Sequence, residues 1–480
     1  MPNESTHVDL LIVGTGSGNS IPAGDFDGWS IGLVERGVFG GTCLNRGCIP
    51  SKMLVLPAHR VREAADAAAL GVHFDPPRID WPAIRDRTFG RIDPISTGGE
   101  NYRRSQSNVR LFAGDGRFTG ERTLRVTAAD GSVTDITADH VVLAAGASPV
   151  IPDIPGLAGT PFHTSDTIMR VEEVPRRLLI LGGGFIAAEL GHVFSAYGSE
   201  VTVLHRGALM LRHEDPEVSE RFTAEFGRYV DLRVGVRVDS VEHRAGEFRL
   251  HLSPVDGCSP DDGARPSEPT VVVGDTLLVT TGRRPNGAEL GVEAAGVALD
   301  DRGYVVTDDT LATTAPNVWA LGDIRNPNQL KHLANREARV AFHNVAHPED
   351  PIRLDERVVP HAVFSHPEIG SVGETEATLA EAGRRFVVGR RDYGDVAYGW
   401  ALEDRTGFAK VLVDPESGRI LGGHVIGPQA ATLMQQIAQA MTFGLTAEQV
   451  AREQIWNHPG LPEVLENALL DALEAAGSGG

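Results

Sequence analysis

Apolar and polar positions in this chain fall into a repeating order of short apolar run, glycine-rich turn and mixed segment. In "VDLLIVGTGSGNS" four apolar residues, Leu10 to Val13, run directly into glycines, the pattern of a buried strand entering a tight turn. "WSIGLVERG" predicts a second strand ending at Glu35. The connection "IPAGDFDG" carries Pro22, Gly24 and Gly28, so at most a short or distorted helix is expected there. An alanine-rich stretch, Ala58 to Ala69, has a helical pattern. Short strands are expected between Val109 and Leu143, and "VVLAAGASPVIP" reads as a strand leading into a proline-bounded connection.

The segment "RRLLILGGGFIAAELGHVFSAYGSEVTVLHRG" repeats strand, glycine turn, helix and strand more cleanly, with an apolar stripe from Ile186 to Ala196. Two copies of a nucleotide-binding unit imply two nucleotides. "NVWALGDI" predicts a further strand ending in Gly322-Asp323. From about Arg353 the texture changes: "GFAKVLVDPESGRILGGHVIG" reads as a hairpin, and "TLMQQIAQAMTFG" and "LPEVLENALLDALEAA" read as amphipathic helices. The fold class is α/β, with two Rossmann-like dinucleotide-binding domains and a C-terminal α+β domain. "CSPDDGARPSEP" is expected to be an exposed polar loop holding Cys258 as an inert thiol.

Length and charge narrow the function classes. A chain of 480 residues has room for two to four domains. The formal charge of −21 would repel a nucleic acid over most of the surface. No apolar run is long enough to cross a bilayer, so no membrane partner is expected. "MPNESTH" has no basic segment before an apolar one, so no secretory signal is expected and the location is taken as cytoplasmic. Three cysteines do not make a secreted disulfide framework.

The first turn, Gly14-x-Gly16-x-x-Asn19, lets the backbone approach a pyrophosphate, and Glu35 lies where a carboxylate can take ribose hydroxyls. Asn19 replaces the usual third glycine, and alone this motif also fits an ordinary loop. The second turn, Gly182-x-Gly184-x-x-Ala187, is followed by "LHRGALMLR" in place of the acid expected for NAD. Arg206 and Arg212 there suit a 2′-phosphate, hence NADPH, unless both are simply solvated.

In "GGTCLNRGCIPSK", Cys43 and Cys48 stand between glycines. A C-x4-C pair can be packing, part of a zinc site or a redox pair. His59 is the only histidine nearby and no second pair completes a zinc set, so no metal is expected. The flanking glycines and the two nucleotide turns favour a redox pair lying across a helical turn near a helix N-terminus. Lys52, one of three lysines beside 41 arginines, follows one turn later, either as a charge serving a flavin or as a solvated side chain. In "NHPGLPEVLENAL", His458 and Glu463 are close enough to pair as a general acid/base.

With these motifs in order, together with "TGRRPN", "ALGD" and "FSHPEIGSVG", the chain resembles the FAD-dependent pyridine nucleotide–disulfide oxidoreductases over essentially its full length. Its stretches "GTGSGNS", "FGRIDPI", "HTSDTIMR", "LKHLANREARV" and "DYGDVAYGWALED" are similar to the branch of that family acting on mycothione. The resemblance implies an FAD domain in two parts, residues 1–155 and 283–352, an NADPH domain over 156–282 and an interface domain over 353–480 that forms a homodimer. It implies that Cys43 is the interchange thiol, that Cys48 faces the flavin and that Lys52 pairs with Glu189 near it. His458 and Glu463 would serve the cysteines of the neighbouring subunit. Gly14, Gly16, Glu35, Gly41, Thr42, Lys52, Gly146, Gly322 and Asp323 would bind FAD. Gly182, Gly184, Arg206 and Arg212 would bind NADPH, and Gly282 and Arg283 are further cofactor-binding positions. Alternatives are a related reductase acting on lipoamide or glutathione disulfide, or a non-catalytic flavoprotein switch.

Overall fold

Seven strands of one mixed sheet organise the first of two compact units in the computed structural model, which describes residues 4–255 and 270–477. That unit comprises Met1–Ser51, Arg85–Val150 and Gly282–Glu356; the second comprises Lys52–Ile84, Ile151–Thr281 and Arg357–Gly480. Cys258 and its loop lie outside the described residues.

In the first unit, β1 (Glu4–Val13) pairs in parallel with β2 (Ile31–Glu35) and with β6 (Val133–Leu143); β2 pairs with β3 (Val109–Ala113). β4 (Asp115–Gly120) and β5 (Thr123–Thr127) extend the sheet antiparallel, and the strand Val318–Ala320 adds in parallel to β6. The apolar run predicted as a strand is the centre of this sheet: Leu10, Leu11 and Ile12 are fully buried, as expected of a parallel strand covered on both faces. A short ribbon joins β7 (Ala147–Pro149) to Arg283–Pro285.

The parallel strands end together. Gly14, Glu35, Ala144 and Leu321 follow or finish them, held by Gly14 N–H to Val34 O, Ala144 N–H to Val13 O and Leu321 N–H to Leu143 O at 2.8–3.0 Å. The carboxyl edge of such a sheet is where open α/β folds take their ligands. The expected distortion after β1 is present: only the short 3-10 turn Ser17–Asn19 replaces a helix.

α1 (Gly41–Arg46) and α2 (Cys48–Asp66) are separate helices, broken at Gly47. The cysteines therefore do not share one helical turn as the spacing suggested: Cys43 lies in α1 and Cys48 opens α2. A Cβ at position 47 would stand 3.1 Å from the Thr42 carbonyl, a tight contact that favours glycine at the break. α2 begins ten residues before the alanine-rich stretch, and α3 (Trp81–Ser105) follows.

The second unit holds a four-stranded parallel sheet of Asp231–Val234, β9 (Glu200–His205), β8 (Arg177–Leu181) and Thr276–Val279, with α4 (Phe185–Ala196) after β8. A three-stranded antiparallel sheet and a five-stranded antiparallel sheet complete it. The predicted hairpin is the strand pair Phe408–Val413 and Ile420–Ile426, and the predicted amphipathic helices are Ala430–Phe443 and Glu463–Gly477. These helices bury Leu433, Ile437, Val464, Leu465 and Leu469 in a common core with Val411 and Val425. Among the described residues no helix is long and apolar enough to cross a membrane.

Candidate active site and nucleotide-binding turns

In the first unit the glycine turn and the cysteine helix meet backbone to backbone. Gly14 has φ +106°, and a Cβ there would stand 2.4 Å from the Ala144 carbonyl. A Cβ on Gly41, at φ +72°, would reach 2.5 Å from Gly16 Cα. Thr15 stitches the turn: its N–H and hydroxyl donate to Glu35 Oε2 at 3.0 and 2.6 Å, and its Oγ1 accepts from Gly40 N–H at 3.0 Å. Gly37 N–H donates to the other Glu35 oxygen at 2.8 Å. The acid at the end of β2 thus fixes the turn, which was not part of its expected role.

Asn19 has a structural reason. Its side-chain and main-chain oxygens accept from Arg103 Nε and Nη2, both at 2.7 Å. The guanidinium from α3 caps the turn that no helix follows.

Gly322 and Asp323 lie at the same sheet edge. The buried carboxylate of Glu337 accepts from Gly322 N–H, from Arg325 Nη1 at 2.6 Å and from Asn326 Nδ2 at 3.0 Å. Burial pushes the Asp323 carboxyl above its usual value, opposed by the charges of Arg283 and Lys331. Gly146, at φ +65°, accepts at its carbonyl from Asn286 N–H at 3.1 Å, and Arg283 donates to the Ala147 carbonyl at 2.6 Å. Gly282, at φ +124°, precedes that arginine. The side-chain-free cradle of Gly14, Gly16 and Gly41, the half-buried Thr42 beside it and the polar Gly322–Asp323 edge fit the pyrophosphate and polyol of FAD.

Cys43 is half-buried and Cys48 exposed, and the two thiols are hydrogen-bonded to one another. That bond first, and burial second, push the Cys43 thiol up, while Lys331 pulls it down. Lys331, bonded to Ser17, and Asn326 and Glu337 beside Gly322 are candidate site residues that sequence reasoning missed. The usable signal for Lys331 was its rarity, which attached only to Lys52.

In the second unit, Lys52 Nζ lies 2.7 Å from both oxygens of Glu189. Glu189 is buried on α4, accepts from Phe364 N–H at 3.1 Å, and the Lys52 ammonium stands 4.8 Å from the Phe364 ring centroid. The second glycine turn repeats the first: a Cβ on Gly182, at φ +137°, would stand 2.4 Å from the Thr280 carbonyl. Gly184 is the N-cap of α4, and among the described residues a Cβ there would meet nothing within 4 Å, an opening suited to an anion at the helix N-terminus. Arg206 and Arg212 are exposed beyond β9, and neither makes an ion pair among the described residues. His458 Nδ1 lies 2.7 Å from Glu463 Oε1, and Gly460 N–H donates to Glu463 Oε2 at 2.9 Å. The His458 bond first, and the Gly460 amide second, hold the Glu463 carboxyl below its usual range. Among the described residues no group of histidines, cysteines and acids is arranged to hold a metal.

Two nucleotide turns and a dithiol define a flavin-linked disulfide oxidoreductase, and the comparisons agree. Residues 8–346 match the family model described as pyridine nucleotide-disulphide oxidoreductase, and residues 359–469 match the dimerisation domain of the same family. The chain belongs to the pyridine nucleotide-disulphide oxidoreductases, enzymes that use FAD and a nicotinamide nucleotide. It is 44% identical over 471 residues to mycothione reductase of Mycobacterium tuberculosis, covering 96% of this chain and 98% of that protein. It is 33% identical over 483 residues to a dihydrolipoyl dehydrogenase of Haloferax volcanii, covering 98% of each. A solved structure, the Cu(II) complex of the HOCl-induced flavoprotein disulfide reductase RclA from Escherichia coli, has a TM-score of 0.82 at 26% identity, covering 97% of this chain and 99% of that one.

Proposed function

We propose that this enzyme reduces mycothione to mycothiol with NADPH, as a homodimer in which His458 and Glu463 of one subunit serve Cys43 and Cys48 of the other. The observation that carries the substrate is the 44% identity to mycothione reductase along nearly the whole chain, against 33% for the dihydrolipoyl dehydrogenase. The nucleotide reading rests on Arg206 and Arg212, which present two uncommitted guanidiniums beyond β9 where an NAD site carries an acid.

When bound, FAD supplies the relay that carries two electrons from NADPH to the Cys43–Cys48 disulfide, and Lys52, held by Glu189, is assigned to its charge. The rest is done by side chains. The Cys43 thiolate attacks one sulfur of the substrate disulfide, forming a mixed disulfide as the substrate S–S bond breaks. His458 gives its proton to the departing thiolate, with Glu463 holding the ring through Nδ1. Cys48 then attacks Cys43 Sγ, releasing the second thiol and restoring the disulfide. The short separation of the two sulfurs gives this last step a high effective concentration. The proposed division is an FAD part over 1–155 and 283–352, an NADPH part over 156–282 and an interface part over 353–480.

The test is turnover of purified protein with mycothione, glutathione disulfide and lipoamide, each with NADPH and with NADH. The proposal expects mycothione with NADPH to have the highest kcat/KM. A preference for lipoamide would move the chain to the lipoamide branch, and absence of turnover with NADPH-dependent bleaching would make it a redox switch.

A further inference from the structure

Three lysines occur in this chain, and two are committed: Lys52 to Glu189, and the buried Lys410 to Asp215 and Glu376 at 2.8 and 2.9 Å. The third, Lys331, is placed against a local rule. It is the first residue of the helix Lys331–Ala346, whose N-terminus has no side-chain cap. A cation there faces the positive end of the helix, where an anion is normally favoured. Lys331 forms no ion pair with a carboxylate among the described residues. Its Nζ instead donates to Ser17 Oγ at 2.8 Å, and Ser17 Oγ donates on to Asn335 Oδ1 at 3.3 Å. Ser17 adjoins Gly16, Gly16 abuts Gly41, and Cys43 follows two residues later in α1. A local conflict of this kind is expected where function outweighs helix stability.

We propose that Lys331 is the electrostatic partner of the Cys43–Cys48 dithiol, its ammonium and the helix amides behind it favouring the Cys43 thiolate over the thiol. The inference deepens the proposed function and rests on its reading of the two cysteines as the redox pair. The charge of Lys331 acts on Cys43 directly, in the direction that lowers its proton affinity. The competing groups are accounted for. Cys48 and burial both work the opposite way on Cys43, and more strongly, so Lys331 offsets part of what they impose. Asp323 also feels Lys331, and burial pushes its carboxyl above its usual value against the charges of Arg283 and Lys331. Arg283 also acts on Asp323, and Glu337 is occupied by Gly322, Arg325 and Asn326. In the step proposed, the Cys43 S–H proton leaves to solvent or a base while Lys331 keeps its own, so the new negative charge forms beside a fixed positive one.

The experiment is alkylation of the FAD-loaded, NADPH-reduced protein by iodoacetamide as a function of pH, with the modified cysteine identified by peptide mass. Wild type must first expose two alkylatable thiols on reduction; if it exposes none, the redox-pair reading itself fails. In Lys331→Met the pH at which Cys43 becomes reactive moves up by about one unit, so its rate at neutral pH falls about tenfold. Lys331→Arg keeps the wild-type profile, and Ser17→Ala, which frees the ammonium without removing it, gives a smaller shift the same way. An unchanged Cys43 profile in Lys331→Met overturns the proposal. An unchanged profile with weakened FAD retention also overturns it and assigns the ammonium to the cofactor's phosphates.

Discussion

His458 Nδ1 sits 2.7 Å from Glu463 Oε1, on a histidine whose side chain is 71% exposed and an acid only 15% exposed. The carboxylate is the anchored member of the pair, fixed by the Gly460 amide, and the imidazole projects from it. With Nδ1 facing Glu463, Nε2 is the nitrogen available for the proposed proton transfer to a substrate thiol. His458→Ala is expected to slow substrate reduction by about 10²–10⁴-fold, the usual contribution of general acid/base catalysis. Reduction of FAD by NADPH, followed by stopped-flow absorbance, should be nearly unchanged. Glu463→Gln should give a milder loss, because the ring keeps an acceptor. A loss of FAD reduction in His458→Ala would contradict the role.

The two cysteines are expected to differ spectroscopically. Cys48→Ser should abolish the long-wavelength thiolate-to-flavin absorbance of the two-electron-reduced enzyme. Cys43→Ser should show such a band without prior reduction, because Cys48 then remains as a thiolate. The opposite pattern would reverse the assigned roles.

For the nucleotide, Arg206→Ala should lower kcat/KM for NADPH and leave that for NADH nearly unchanged. A charge-assisted contact to a 2′-phosphate is worth about 1.5–3 kcal/mol, so the NADPH loss should be about 10- to 150-fold. Equal losses with both nucleotides would show that Arg206 does not read the phosphate.

A half-exposed histidine paired with a buried acid in the second unit makes a pH-dependent stability prediction. His361 Nε2 and Glu214 Oε1 are 2.8 Å apart, and Ser371 Oγ donates to Glu214 Oε2 at 2.6 Å. Burial opposes both charges, yet their mutual hydrogen bond holds His361 above its usual value and Glu214 below. The raised histidine contributes stability that is fully present below its unfolded value and lost as pH rises through the folded one. The depressed acid contributes stability present above its unfolded value and lost as pH falls through the folded one. Both are complete between about pH 4.3 and 6.5. Glu214→Gln should therefore cost most there, about 1–3 kcal/mol, and less as pH climbs past the raised histidine. Unfolding midpoints of both proteins across pH measure it; a difference that does not vary with pH would contradict the pairing.

Local pattern and short motifs carried much of this fold. The apolar run Leu10–Val13 reads as a buried strand because parallel strands are covered on both faces. The poor connection after it reads correctly because proline and glycine forbid a helix there. What stayed hidden depends on partners distant in sequence. Arg103 reaches Asn19 across 84 positions, and Lys331 reaches Ser17 across 314. The spacing of Cys43 and Cys48 suggested one helix, whereas Gly47 leaves helical geometry and separates α1 from α2, with the backbone close to the Thr42 carbonyl. Lys52 and Glu189, 137 positions apart, were paired only through the family resemblance.

In the proposed dimer, one reaction centre takes Cys43 from one subunit and His458 from the other. Cys43→Ser protein is expected to lack substrate reduction, and His458→Ala protein to be slowed by about 10²–10⁴-fold. Exchanging their subunits gives about half heterodimers on random assortment, each with one intact centre and one doubly defective centre, as two-fold symmetry requires. With exchange verified by mass spectrometry, the account predicts recovery of roughly a quarter of wild-type turnover. Verified heterodimers with no recovered activity would contradict it.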